Sequence, residues 1–514
     1  MPRAQALTKQ FEDKRITALT YMTQLRKTGA HVDSLDHMHN FFYAQNDTMH
    51  VITLVLILNR VVHGDDSILS RSALESSDQH RPDSDSFHRP ISNSTSHLIS
   101  EHLSRQEELK CHSEIHIFYN PASGGNKGAD VANSDLNSVV LRTRDAETHV
   151  YLWDIRKGPS GQKPGFRRIR EMMDSVACQS QPSLTRIIAA GGDGTVMWVI
   201  SEAIAHDIRT TNVAFGTIPF GTGNDFAHAF GWGASVRGKL MSAKMKLLKE
   251  LVSKWLVADV VPHDIWRVTI SVASDQGAVL SVSQKSLSPL ELDPQKRSFV
   301  KLMTNYFSMG TESKIGLGFD KRRTKSRPLN KIMYTVEGLK GLKRQNHKIG
   351  DLLESCKEGE SVLFASNSSS GLPILQGNPS SIIFLNINSF AGGLNLWPKA
   401  THSGVVSERA PRSFGDQATG DGKIEVLTYQ SMRKFAAEQF RKGPATGNGM
   451  RITQSRGPLN ILFKPSTDEE LTYMQVDGEY YAVKQPKSVL IEHRATVKVL
   501  KRNQTKEIKG RKHR

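Results

Sequence analysis

The sequence predicts a doubly wound α/β domain over residues 113–258, followed by a domain of antiparallel β-strands over residues 259–502. The first prediction depends on apolar runs that each end in a glycine-rich turn, two of which lead into helical patterns. The second depends on a change after about Ala258, where strand-like runs follow one another with few helical segments. A chain of 514 residues can hold two or three domains of ordinary size.

Three strand candidates open the α/β half: Ile115–Tyr119, Thr148–Ile155 and Thr185–Ala190. The third, TRIIAA, is mostly apolar, as expected for a parallel strand that is buried on both faces. Five apolar residues then recur with the spacing of an amphipathic helix: Val196, Val199, Ile200, Ala203 and Ile204. The next strand candidate is Val213–Ile218, which ends at Pro219.

Glycine-rich turns follow three of these strands: NPASGG at Asn120–Gly125, GGDGT at Gly191–Thr195 and PFGTGND at Pro219–Asp225. Glycine lets backbone N–H groups approach an anion closely, and a helix N-terminus adds a favourable dipole. The carboxyl ends of parallel strands meet at one edge of a sheet. The three turns therefore predict a single phosphate-binding crevice.

GGDGT is the most informative of the three turns. A carboxylate at Asp193 would repel a phosphate unless it reached Mg²⁺ or an acceptor hydroxyl. The alternative is that Asp193 only caps a helix expected to start at Thr195. NPASGG alone fits an ordinary Asn-Pro turn equally well, and Asp225 fits an N-cap for a helix at Phe226–Phe230. No G-x-x-x-x-G-K-[ST] motif is present, which excludes an ordinary P-loop.

The second half contains repeated β-rich runs, and MQVDGEYY places Asp477-Gly478 between two of them, which predicts a hairpin. Ala273–Arg297 and Lys343–Ser380 are expected to be loops. Residues 1–62 are predicted to form a helical extension, residues 63–112 a polar and disordered linker, and residues 503–514 a basic tail.

The formal net charge is +17, which favours anionic partners such as acidic lipid headgroups, nucleotides or nucleic acid. Three widely spaced cysteines exclude a disulfide framework and a zinc module and indicate a reducing compartment. The longest apolar run, Val51–Leu58, is too short to span a bilayer as a helix, and no signal peptide is visible. The sequence therefore predicts a cytoplasmic protein that associates peripherally with membranes.

The three turns together resemble those of the diacylglycerol kinase catalytic domain, within the lipid kinase and NAD kinase superfamily. In the second half, five segments resemble the accessory domain of the eukaryotic enzymes in the same order: NYFSMG, IGLGFD, LNINSFAGGLNLW, DGKIEV and MQVDGE. The resemblance implies a Rossmann-like nucleotide-binding α/β domain packed on an antiparallel β-sandwich. It also implies transfer of the γ-phosphoryl group of ATP to the primary hydroxyl of diacylglycerol, with Mg²⁺, to give phosphatidic acid.

Carried over by position, the resemblance implies a nucleotide site lined by Asn120, Ser123, Gly124, Gly191, Gly192, Asp193, Gly194, Thr195 and Thr222. Asp421, in DGKIE, matches the general base of the family, although Asp421-Gly422 could also be a simple turn before a strand. Asp193 and Glu425 are the expected carboxylates on the metal side, and Asp193 could instead reach the acceptor hydroxyl. The cysteine-rich modules common in the animal enzymes are absent.

Three alternatives remain open from the sequence. The acceptor could be sphingosine or ceramide, because acceptor preference is hard to infer from these motifs. NAD is less favoured, because the resemblance extends through the accessory domain. A non-catalytic protein that binds membranes or nucleic acid is a further alternative, although both Asp193 and Asp421 are present. No specific nucleic-acid motif is found.

Overall fold

The structure, a computed structural model, describes residues 114–123, 127–142, 147–175, 184–283, 285–321, 348–366, 371–407, 413–440, 447–466, 470–503 and 505. Every described residue lies in one compact unit, Leu109–Arg514. The predicted N-terminal extension and linker therefore lie outside the described residues. So do Gly124 and Gly125 of the first turn, and most of the basic tail.

The described helices are α1 (Lys127–Ala132), α2 (Pro164–Asp174), α3 (Asp193–Ala205), α4 (Asp225–Ala229), α5 (Lys246–Leu256), α6 (Thr311–Asp320), α7 (Ile349–Leu352) and α8 (Met432–Phe440). The strands of the first half are β1 (Glu114–Tyr119), β2 (Ser138–Arg142), β3 (Glu147–Asp154), β4 (Thr185–Gly191) and β5 (Val213–Pro219).

The strands of the second half are β6 (Asp259–Val272), β7 (Ala278–Ser283), β8 (Ser286–Pro289), β9 (Ser298–Met303), β10 (Tyr306–Gly310), β11 (Leu353–Glu358), β12 (Ser361–Ala365), β13 (Ile374–Leu375), β14 (Ser381–Leu385), β15 (His402–Ser403), β16 (Val405–Val406), β17 (Ile424–Tyr429), β18 (Gly449–Ser455), β19 (Leu459–Phe463), β20 (Leu471–Val476), β21 (Glu479–Lys484) and β22 (Pro486–Lys501).

The parallel strands predicted for the first half are present, in the spatial order β3-β1-β4-β5. The central strand β4 is almost wholly buried, as its apolar sequence requires. Aromatic packing joins the sheet to α2, where Phe118 and Phe166 stack with ring centroids 4.2 Å apart. Because the strands are parallel, the glycine-rich turns after β1, β4 and β5 lie at the same edge of the sheet.

This sheet does not end at the boundary between the two halves. The last strand, β22, runs parallel to β5 at one end and pairs antiparallel with β6 and β19. At 16 residues β22 is long enough to reach both groups, so the sheet continues through β19, β11, β12, β13 and β16. The sequence patterns assigned this strand to the second half alone, and its pairing with the first half is a finding of the structure.

A second sheet contains nine strands in the order β15-β18-β17-β14-β10-β20-β21-β7-β8. A hydrophobic core joins the two sheets, since it includes Trp266 and Ile461 from the first and Phe307 and Phe384 from the second. The molecule is thus a mixed α/β fold with two large sheets. The hairpin at Asp477-Gly478 is confirmed, because β20 and β21 pair directly across these two residues.

Two expected loops contain regular structure, so those predictions were wrong. Ala273–Arg297 includes the paired strands β7 and β8, and Lys343–Ser380 includes α7, β11, β12 and β13. In the first of these segments the apolar signal is weak, because serine-rich β7 and β8 lie at one end of the second sheet, where side chains are half-buried.

Candidate active site

The second and third glycine-rich turns touch each other through their backbones. A Cβ atom added at Gly221 would lie 2.4 Å from Cα of Gly192, and one added at Gly192 would lie 3.1 Å from Cα of Gly221. The backbone N–H of Phe220 donates to the carbonyl of Gly191 at 2.8 Å. Glycine is therefore required at position 221 for the approach of these two turns, and Thr222 follows it in the chain.

The first turn lies beside β4, because the N–H of Asn120 donates to the carbonyl of Ala190 at 3.2 Å. The side-chain oxygen of Asn120 accepts from the N–H of Ala122 at 3.0 Å, and Ser123 N–H donates to the carbonyl of Asn120. Asn120 thus shapes its own loop. The structure brings Asn120 and Ser123 to the same sheet edge as the other two turns.

Asp193 is the first residue of α3, and Gly192 is the N-cap. The expected helix start at Thr195 was wrong, and so was the cap assigned to Asp193 there. The Thr195 side chain instead packs over Gly191, where an added Cβ would lie 2.1 Å from its hydroxyl oxygen. Thr195 is buried, and Gly194 is exposed at the surface of the turn.

The carboxylate of Asp193 accepts hydrogen bonds from segments that are distant in the sequence. It accepts from the backbone N–H groups of Asp225 and Phe226, at 3.1 and 2.8 Å, and from the amide of Asn305 at 3.0 Å. The first two donors lie at the start of α4, and the third lies beside β10 in the second half. Asp193 therefore caps α4 and connects the GGDGT turn to the second half of the chain.

Asp225 connects the same two halves and was missed as a site residue. The expectation that it caps Phe226–Phe230 was wrong, because α4 begins at Asp225 and follows Asn224, whose φ is +54°. Its Oδ2 accepts from the Tyr306 hydroxyl at 2.8 Å. Its Oδ1 accepts from the Ser389 hydroxyl at 2.6 Å and from two glycine N–H groups, Gly392 and Gly393.

Burial and the neighbouring charge of Asp225 raise the pKa of Asp193 to about 7. Burial disfavours the ionised form, and a second carboxylate close by adds repulsion. The hydrogen bonds from Phe226, Asp225 and Asn305 act in the opposite direction. Such a pair of carboxylates would be stabilised by a bound cation.

Asp477, which the sequence presented only as a hairpin residue, organises this connection. Its carboxylate accepts from the backbone N–H groups of Thr304, Asn305 and Tyr306, at 2.7, 2.8 and 3.0 Å, and from the Thr304 hydroxyl. Burial raises its pKa to about 6. These bonds fix the start of β10 and so place Asn305 against Asp193 and Tyr306 against Asp225.

Glu479 and Lys301 place charged side chains beside the GGDGT turn. A Cβ added at Gly194 would lie 4.0 Å from Oε1 of Glu479, the residue that follows Asp477-Gly478. Both oxygens of Glu479 accept from the ammonium group of Lys301, at 2.9 and 2.8 Å. The second half thus places an ion pair beside the exposed glycine of GGDGT, which the sequence motifs did not indicate.

Asp421 lies half-buried in the turn before β17. Its Oδ1 accepts from the N–H of Lys423 at 3.0 Å, and the N–H of Gly422 donates to Asp264 at 2.7 Å. The amide of Asn386 donates to the carbonyls of Asp264 and Thr304, at 2.7 and 2.6 Å. A continuous set of bonded residues therefore runs from the Asp193 region to the Asp421 turn.

Glu425 is fully buried on β17. Its two oxygens accept from the side-chain amides of Gln454 and Gln417, at 3.1 and 2.9 Å. Burial raises the pKa of Glu425 to about 8, and the charge of Asp421 adds to the shift. Each oxygen of Glu425 therefore has one amide partner in the described structure.

Within the part of the chain that the structure describes, no three His, Cys, Asp or Glu side chains converge on a point that could hold a metal ion. Mg²⁺ is commonly bound by one or two carboxylates together with substrate phosphates and water. Asp193 is an oxygen ligand whose charge is opposed by that of Asp225 and which lies within the glycine-rich turns, so it fits that mode. No described helix is long and apolar enough to cross a membrane.

The glycine-rich turns at one sheet edge and the carboxylates from both halves define a nucleotide-dependent phosphotransferase. Sequence comparison narrows this class. Residues 114–253 match the diacylglycerol kinase catalytic domain, and residues 302–480 match the diacylglycerol kinase accessory domain. The two matches together cover more than half of the chain. The chain therefore belongs to the diacylglycerol kinase family.

Individual relatives agree with the family assignment at low identity. Diacylglycerol kinase 5 of Arabidopsis thaliana is 26% identical over 410 residues, which are 73% of this chain and 73% of that protein. Diacylglycerol kinase 3 of the same plant is 25% identical, over 63% of this chain and 68% of the relative. Human diacylglycerol kinase zeta is 26% identical, but the match covers only 33% of its length.

Proposed function

We propose that this protein transfers the γ-phosphoryl group of ATP to the primary hydroxyl of diacylglycerol, which gives phosphatidic acid. The observation that carries the proposal is the position of Asp193, which joins the two phosphate turns to Asn305 of the accessory domain. Phosphoryl transfer needs positioning and charge neutralisation more than covalent chemistry. An acidic centre between two halves of the chain can position the reactants, and a cation bound to it would neutralise the phosphate charge.

In this proposal the three turns bind the phosphates of ATP. The nucleotide site is lined by Asn120, Ser123, Gly124, Gly191, Gly192, Asp193, Gly194, Thr195 and Thr222. Backbone N–H groups at glycine turns favour anions, and the close contact between Gly192 and Gly221 holds two of these turns side by side. The ion pair of Lys301 and Glu479 lies beside Gly194, and Lys301 is its cationic member.

Asp193 is the carboxylate on the metal side. When bound, Mg²⁺ would neutralise charge on the phosphates and on the Asp193–Asp225 pair. Glu425 is the second metal-side carboxylate, and the amides of Gln417 and Gln454 orient its two oxygens. The role of Asp225 is to hold the loop of Gly392 and Gly393 against α4.

Asp421 is the general base. A primary alcohol is a poor nucleophile until a positioned base removes its proton in the transition state. The carboxylate of Asp421 lies on a turn whose backbone is fixed by Asp264, and its Oδ1 is oriented by the N–H of Lys423. It would accept the proton of the acceptor hydroxyl as the oxygen attacks the γ-phosphorus.

The finer architecture belongs to the same proposal. Residues 113–258 would form a Rossmann-like nucleotide-binding domain and residues 259–502 an accessory β-sandwich, with β22 returning to complete the first sheet. A net charge of +17 supports peripheral binding to anionic membranes at the cytoplasmic face, where the lipid substrate lies. Removal of Mg²⁺ with EDTA tests the metal requirement. The salt dependence of vesicle binding tests the association with membranes.

A substrate panel tests the proposal directly. The purified chain, labelled ATP and Mg²⁺ are incubated with diacylglycerol, ceramide, sphingosine or NAD. We expect labelled phosphatidic acid with diacylglycerol and little product with the other acceptors. Turnover of a sphingoid base, ceramide or NAD with none of diacylglycerol would refute the acceptor. Failure of all acceptors, with normal ATP binding, would favour a non-catalytic protein.

A further inference from the structure

We propose that His493 and Thr496, on the last strand β22, are positioning residues for phosphoryl transfer and act through Asp264 on the turn that carries Asp421. The inference rests on the proposed function of Asp421. Neither residue belongs to the glycine-rich turns or to the DGKIE segment. Their role follows from three hydrogen bonds that meet at one buried carboxylate.

Asp264 is fully buried on β6. Its Oδ1 accepts from Nε2 of His493 at 2.8 Å and from the hydroxyl of Thr496 at 2.6 Å. Its Oδ2 accepts from the backbone N–H of Gly422 at 2.7 Å. One carboxylate thus joins the last strand of the chain to the residue immediately after Asp421. A buried carboxylate is costly unless such partners satisfy it.

The residues before and after Asp421 both contact the same segment of β6. Gly420 has a φ of +74°, and a Cβ added there would lie 2.5 Å from the carbonyl carbon and oxygen of Pro262. Gly422, on the other side, is bonded to Asp264. The backbone on each side of Asp421 is therefore fixed by residues 262–264, and Asp264 supplies the directional contact.

An irregularity in the strand pairing makes this arrangement possible. Residues three apart on a regular strand face opposite sides of the sheet, because side chains alternate. The pairing of β22 with β6 shifts between His493 and Ala495, so that Thr496 lies opposite Asp264. A bulge of this kind redirects side chains locally. Here it lets both His493 and Thr496 reach the same oxygen of Asp264.

Loss of either bond would let Asp264 and the N–H of Gly422 move, and with them the carboxylate of Asp421. A displacement of about 1 Å in a reacting group can lower a rate by ~10²-fold. The nucleotide turns at Gly191–Thr195 and Pro219–Asp225 would keep their contacts, because their bonds do not involve β22. The expected signature is a lower kcat with an unchanged KM for ATP.

The hydroxyl of Thr496 gives a matched pair of variants. Thr496→Val removes the donor and keeps the shape, and Thr496→Ser keeps the donor. We expect Thr496→Val to lower kcat ~10-fold with wild-type KM for ATP and a similar thermal unfolding temperature, and Thr496→Ser to retain the rate. His493→Phe, which keeps a ring but cannot donate, should lower kcat, while the exposed neighbour substitution Arg494→Gln should not. Equal rates for Thr496→Val and wild type would overturn the inference.

A double-mutant cycle separates this inference from the proposed role of Asp421. If Thr496 acts through Asp421, the double variant Thr496→Val with Asp421→Asn should be no slower than Asp421→Asn alone. Labelled ATP keeps the residual rate measurable. Losses that multiply would overturn the positioning role while Asp421 stayed the base. A wild-type rate for Asp421→Asn alone would instead refute the proposed function of Asp421.

Discussion

The turns that carry Asp193 and Asp421 hold their carboxylates in different ways. Asp193 accepts hydrogen bonds from Asp225, Phe226 and Asn305, all distant in the sequence, and its charge is opposed by that of Asp225. The carboxylate of Asp421 accepts from Lys423, two residues on within its own turn. In the Asp421 turn, the neighbouring residues Gly420 and Gly422 make the contacts to the distant strand β6 through their backbones.

This difference indicates how the two carboxylates can divide the chemistry. Asp193 is tuned by burial and repulsion, so its protonation responds to a nearby cation. Asp421 is fixed through the backbone, which sets its position with few demands on the carboxylate itself. A metal-side group and a proton acceptor have these two sets of requirements.

The phosphate turn is most sensitive at Gly192. We expect Gly192→Asp to abolish activity and leave the protein folded, because the new carboxylate would occupy phosphate space and repel the nucleotide. Circular dichroism and kinase assays provide the measurements. Gly192→Ala is the matched control: its Cβ would lie 3.1 Å from Cα of Gly221, and it should retain more activity than the aspartate variant. A folded Gly192→Asp protein with a near wild-type rate would refute the phosphate-turn assignment.

The charge of Asp225 can be removed without loss of its shape. Asp225→Asn should lower kcat by roughly 10- to 10²-fold, since it loosens the loop at Ser389 and Gly393 that shapes the site. It should also lower the pKa of Asp193 towards its ordinary value. Tyr306→Phe is the control, because it removes one bond to Asp225 and keeps both charges. A larger loss in the phenylalanine variant would contradict the account.

Nucleotide binding should depend on pH through Asp193. Its pKa is about 7, so a fall in pH below 7 protonates it and should weaken binding of Mg²⁺-ATP. Titration calorimetry between pH 6 and 8 tests this expectation. In Asp193→Asn the group cannot titrate, and its weaker binding should be flatter across the same range. An equally steep pH dependence in the variant would assign the effect to another group.

Buried Glu312 should affect stability alone. Burial raises its pKa to about 7, so the neutral form is favoured in the folded protein. The stabilisation is complete below the unfolded pKa and is lost as pH rises through about 7. Glu312→Gln should therefore reduce the loss of unfolding free energy between pH 5 and 8 by ~1–3 kcal/mol at most. The unfolding temperature of the variant should fall less over the same pH range. The exposed substitution Glu354→Gln should leave that fall unchanged.

The sequence predicted the turns of the candidate site because their signals are local. Glycines after apolar strands indicated the turns at Gly191 and Gly221, and Asp477-Gly478 indicated its hairpin. It could not predict the partners of Asp193, since Asn305 lies 112 residues further on. Asp225 was assigned as a helix cap because a local pattern cannot reveal bonds to residues more than 160 positions away.

The fold shows the same division between local and distant information. The parallel strands β1, β4 and β5 were predictable from their apolar runs. The return of β22 to β5 was not, because a strand's apolar pattern does not specify its neighbour. Half-buried strands such as β7 carry a weak pattern and were taken for a loop.

The central claim is that Asp193 serves the nucleotide and metal while Asp421 serves the proton. Isothermal titration of Mg²⁺-ATP into Asp421→Asn and Asp193→Asn, beside their kcat values, tests it most directly. We expect Asp421→Asn to bind Mg²⁺-ATP almost normally while its rate falls by ~10²–10⁴. Asp193→Asn should lose both binding and rate. If Asp421→Asn lost the nucleotide and Asp193→Asn kept it, the two roles would be reversed and the account contradicted.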